Sequence, residues 1–61
     1  MSNYIQYGVK DTNDGRFMIV YREGRVDSYW ATENTLEDAI RRAKAMNFGK
    51  DPFVELRNNK R

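Results

Sequence analysis

The stretch RFMIVYREGRVDSYWA, Arg16 to Ala31, decides the fold. It opens with five apolar residues in a row between Arg16 and Arg22, passes through Glu23-Gly24, and resumes as a second β-prone run from Val26 to Ala31. β-Branched and aromatic residues on either side of a glycine-containing pair read as two strands joined by a tight hairpin, because Gly24 accepts the positive φ that such a turn requires. With Glu23-Gly24 as the loop, Arg22 faces Arg25, Tyr21 opposes Val26, Ile19 opposes Ser28 and Phe17 opposes Trp30. Val20 then opposes Asp27, and Met18 opposes Tyr29. Opposed residues share a face of the sheet, so Phe17, Ile19, Tyr21 and Trp30 form the core side and Met18, Val20 and Tyr29 the other.

Outward from the hairpin, Tyr4 to Val9 alternates with Ile5, Tyr7 and Val9 on one side, and DTNDG, Asp11 to Gly15, supplies the turn formers that end it. An odd loop there brings Ile5, Tyr7 and Val9 onto the face of Ile19. After the third strand, TLED begins a helix: Thr35 is placed to cap it and Asp38 stands at the third helical position. Leu36, Ala39, Ile40, Ala43 and Met46 recur at helical spacing, Asn47 and Gly49 are stop signals, and Asp51-Pro52 forces an extended bend before a last strand from Phe53 to Arg57. Val54 and Leu56 are then expected on the core face. A crossover helix joining strands of one sheet makes them parallel, which predicts the order 3-2-1-4. The expected architecture is an α+β domain, β-β-β-α-β, occupying residues 1–61 as a single unit, with one helix on one sheet face and nothing to cover the other.

The chemistry open to the chain is narrow. With no Cys and no His among 61 residues, thiol chemistry, imidazole catalysis and the usual zinc sites are excluded. A chain this short buries only about 60% of its unfolded surface, so its stability must come from packing, with self-association as a further source. The longest apolar run is far below the ~20 residues that a membrane helix needs, and a cytoplasmic setting is expected. Asp11 and Asp14 flank Asn13 in an oxygen-rich loop, but the spacing of a calcium loop is missing and turn formation accounts for these residues. No phosphate-binding glycine motif occurs, so the expectation is a non-enzyme without cofactor or metal.

Two binding surfaces remain. The uncovered sheet face offers Met18, Val20 and Tyr29 with Arg16, Arg22, Arg25 and Asp27 around them, the residue types favoured where proteins meet proteins. The alternative is nucleic-acid binding, either on the same sheet face with bases stacked on Tyr29 and Tyr4 and phosphates met by Arg16, Arg22 and Arg25, or through the basic C-terminal third, Arg41, Arg42, Lys44, Lys50, Arg57, Lys60 and Arg61. The formal charge is only +2, although residues 41–61 hold seven basic and two acidic side chains. Addition of the third or fourth strand to another sheet is a third mode, and through it a homo-oligomer.

The hairpin around Asp14-Gly15, the third strand, TLEDAIRRAKA from Thr35 to Ala45 and the closing FVELR together resemble the compact domain of HicB-type antitoxins. They are also similar to the T7-type phage inhibitors of host RNA polymerase. What the resemblance implies is a small, stand-alone phage or mobile-element protein that binds and blocks a host macromolecule; it carries over no contact residue.

Overall fold

The computed structural model describes residues 6–57. They form strands β1 (Gln6–Asp11), β2 (Phe17–Glu23) and β3 (Val26–Glu33), helix α1 (Leu36–Met46) and strand β4 (Phe53–Glu55). The four strands make one mixed sheet in the order β3-β2-β1-β4, antiparallel except for the β1–β4 pair, so the expected α+β architecture and strand order are found. Tyr4 and Ile5, expected to begin the first strand, lie outside the described residues, as do Lys60 and Arg61.

The hairpin turn differs from the expectation. Glu23 pairs with Val26, which makes Gly24-Arg25 the two-residue loop. Gly24 takes φ +67 at its first position, where a type II′ turn needs glycine. Partners therefore slip by two: Tyr21 opposes Ser28, Arg22 opposes Asp27 and Val20 opposes Tyr29. An even slip leaves every residue on its face, and this is why the face assignment survives a wrong register. Between Ile19 and Val20 the pairing shifts again, so that Ile19 opposes Ala31, Met18 opposes Thr32 and Phe17 opposes Glu33, with Trp30 left as the extra residue of a β-bulge. Trp30 stays on the helix side, but opposite no single partner.

The core lies between the sheet and α1. Val9, Ile19, Ala39 and Ala43 are fully buried, and Tyr7, Phe17, Trp30, Ala31, Leu36 and Ile40 pack around them. Ala39 and Ala43, one turn apart, present no side chain beyond Cβ, which lets the helix approach Val9 and Ile19 closely. Thr35 caps the helix, its hydroxyl accepting from the Asp38 amide at 3.1 Å. At the other end Asn47 serves as more than a stop. Its Oδ1 accepts from the Tyr7 N–H at 2.8 Å and its Nδ2 donates to the Tyr7 carbonyl at 2.9 Å. A side-chain amide thus occupies the ladder position beside β1 just before β4 begins at Gly8–Phe53. The last strand ends at Glu55, short of the expected Arg57, whose backbone N–H donates instead to Asp11 Oδ1 at 2.9 Å. Val54 stands level with Val9 as expected, yet at the sheet edge it remains 42% exposed.

Candidate functional site

The face away from the helix carries Lys10 on β1, Met18, Val20 and Arg22 on β2, Asp27, Tyr29 and Thr32 on β3, and Phe53 and Glu55 on β4. Its middle is not the open apolar centre that the sequence suggests. Val20 is only 3% exposed although no helix covers it. Two features of the same face close over it.

The first is the Phe53 ring. It lies on Gly8, where an added Cβ would fall 2.3 to 2.4 Å from three ring atoms. A glycine inside a strand marks such a close approach, and this was the sequence signal for a ring on this face. The second is an ion network that takes one side chain from every strand. Arg22 forks onto Asp27 through Nε at 2.6 Å and Nη2 at 2.9 Å, and reaches Glu55 through Nη2 at 3.1 Å and Nη1 at 3.3 Å. Lys10 Nζ joins Asp27 at 3.2 Å, and the Arg22 guanidinium lies 4.0 Å above the centroid of the Phe53 ring. Planar donors that fork onto carboxylates and stack on aromatic faces favour arginine over lysine here.

Hydrogen bonds from Arg22, and after it Lys10, outweigh partial burial and hold the Asp27 carboxyl at about 2, below its ordinary 3.8. A folded value below the unfolded one means stabilisation that is complete above the unfolded value and lost as the pH falls through the folded one. Comparing the parent with Asp27→Asn by urea denaturation should give a constant stability difference above about pH 4 that narrows towards pH 2. A difference independent of pH throughout would show that the carboxylate contributes no charge-dependent stability.

With the network and Phe53 lying over β1, β4 and the hairpin end, the accessible half of the face is its β2–β3 side towards residues 12–16. Tyr29 is 63% exposed, its hydroxyl 2.9 Å from Thr32 Oγ1, with half-buried Met18 paired opposite Thr32. Of the expected site residues, Met18 and Tyr29 thus remain available, Val20 is sealed, and Arg22 and Asp27 are bound to each other. Arg25 sits in the hairpin loop, exposed and without an ion-pair partner among the described residues. Arg16 is held at the rim by its own loop, Nη2 lying 2.9 Å from Asp14 Oδ2. Thr12 and Arg16 together pull the Asp14 carboxyl down to about 2, so this loop is committed to its own turn.

The basic residues of the helix are paired in the same way, whereas Lys50 and Arg57 hold no ion pair among the described residues. Arg41 bridges to Asp38 at 3.0 Å and to Glu37 at 3.7 Å, Arg42 to Glu33 while lying 5.0 Å above the Trp30 ring, and Lys44 to Asp51 at 3.6 Å. Between residues 6 and 57 nine basic side chains meet nine acidic ones, so the formal +2 rests on Lys60 and Arg61. The recess on the helix lined by Glu33, Asp38, Arg41, Arg42 and Ala45 is built from these same pairs. One exposed residue gave no sequence signal. Phe48, 96% exposed with φ +57, takes the left-handed position after the helix that glycine or asparagine ordinarily fills.

In comparison with known proteins, the chain matches no protein-family model, no curated sequence and no solved structure.

Proposed function

We propose that this chain is a small, non-catalytic protein-binding module that works in the cytoplasm and docks through the accessible half of its open sheet face. The observation that carries this reading is Tyr29. It is a rigid aromatic, largely exposed and anchored at its hydroxyl, beside a methionine and with Arg16 at the rim. Aromatic, Met and Arg side chains are enriched at protein interfaces, and a tyrosine in particular supplies large contact area at low entropic cost. The network beside them is already internally satisfied, so a partner meets a fixed surface and little is lost in ordering it. The resemblance of its order of parts to that of phage inhibitors supports a more particular version, a phage-borne inhibitor that occludes a host macromolecule during host takeover.

Nucleic-acid binding is the weaker reading because the helix cations already hold carboxylates, so the basic helix does not present a continuous field for phosphates. No helix among the described residues is long and apolar enough to cross a membrane.

The test is capture from a bacterial lysate with the intact chain as bait. Lys10 stands directly opposite Met18, so Met18→Glu is the charge substitution that spares the fold. Met18→Glu and Tyr29→Ala should keep the parent's circular dichroism and lose a captured protein that Arg41→Ala retains. Loss with Arg41→Ala and retention with the two face variants would move the site to the helix.

A further inference from the structure

The two edges of the sheet are treated differently. On the β4 side the strand is three residues long, the Asn47 amide fills the position before it, and Asp11 takes the Arg57 N–H after it. On the other side β3 runs for eight residues as the outermost strand. Among the described residues, no backbone group between Val26 and Trp30 bonds to anything but β2. An uncovered edge of this kind is a template for another strand.

We propose that this edge is the seam of a two-fold dimer in which Val26 to Trp30 of two copies pair antiparallel about Ser28, joining two four-stranded sheets into one of eight. The register follows from the geometry. A two-residue loop closes on a hydrogen-bonded pair, here Glu23 and Val26, and alternation then aims the backbone groups of Val26 and Ser28 at β2 and those of Asp27 and Tyr29 outward. Beyond Trp30 the bulge switches the alternation, so a pairing that continued through it would set helix-side residues against open-face residues. With Ser28 on the axis, all five residues from Val26 to Trp30 pair with faces matched: outward-aimed Asp27 meets Tyr29 of the second copy, and Val26 meets its Trp30.

The same register covers what the single chain leaves bare. Val26 and Tyr29, 64% and 63% exposed, are the most exposed large apolar residues on the sheet. On the helix side, α1 runs from beside Glu33 to its clamp on Tyr7 and so leaves the hairpin corner open. Tyr7 and Trp30 meet there edge to face at 5.8 Å, both half-buried, and Val26 of the second copy lands on Trp30. Asp27 is the one charged residue in the paired segment and faces Tyr29, so no like charges oppose each other. Tyr29 belongs to both readings: the seam sets its outer flank beside Asp27 of the second copy and leaves its ring on the open face, which the dimer presents twice.

The chain has no cysteine, so single cysteines report the seam directly. Two Ser28 residues on the axis form a non-hydrogen-bonded pair with Cα atoms about 4.5 Å apart, within disulfide range. Sedimentation equilibrium should give twice the 7.3 kDa chain mass. Ser28→Cys should oxidise to a covalent dimer, whereas Val54→Cys, exposed at the opposite edge, should not. Val26→Glu should weaken association at least tenfold with the circular dichroism unchanged. A parent chain that stays monomeric at millimolar concentration, or cross-links at Val54→Cys as readily as at Ser28→Cys, would overturn the proposal.

Discussion

Ile19→Ala should destabilise the domain by about 2–5 kcal/mol, the range for deleting most of a large aliphatic side chain from a packed core. Ile19 is fully buried, and among the large side chains of the described residues only Val9 matches it. It shares one buried cluster with Val9, Ala39 and Ala43, and neither alanine can extend into the space left behind. Small domains have total stabilities towards the low end of the 5–15 kcal/mol range, so the loss is a large share of the whole. Chemical denaturation should show a lower midpoint with an unchanged slope. A midpoint equal to the parent's would mean that Ile19 does not face the helix and that the two sheet faces have been exchanged.

Asn47→Leu should cost about 2–4 kcal/mol although it places an apolar residue at a position only 8% exposed. The substitution removes both hydrogen bonds to Tyr7 and strands its N–H and carbonyl at the sheet edge, each at about 1–3 kcal/mol where water cannot replace the partner. Packing by leucine returns part of that. Hydrogen exchange gives the sharper measurement: the Tyr7 amide should lose protection selectively, ahead of the Val9 amide in the middle of the strand. Equal stability with an unchanged Tyr7 exchange rate would show that the amide clamp contributes nothing and that α1 is placed by its apolar face alone.

The parts of the fold legible in sequence were those governed by local chemistry. Periodicity separated strands from helix, Thr35 announced the helix start, and the parallel crossover placed the last strand beside the first. Register was less legible because Gly24 fits either position of a two-residue loop, and nothing local tells the chain that Trp30 bulges. The site was legible in membership but not in state. Met18, Val20, Arg22, Asp27 and Tyr29 do share the open face, yet the closure of Val20 depends on Phe53 and Glu55 arriving from a strand more than thirty residues further along the chain. Gly8 was the one local hint of it. Asn47 is the same kind of case: a residue read as a helix stop acquires its second role from a strand forty positions away.

Site-specific photo-cross-linking tests the central claim most directly. A photoreactive phenylalanine in place of Tyr29, irradiated in a bacterial lysate, should trap a lysate protein besides the second copy of the chain that the seam places there, and the same group at Arg41 should trap no lysate protein. Trapping of that protein from position 41 with none from position 29 would contradict the assignment of the open sheet face as the binding surface.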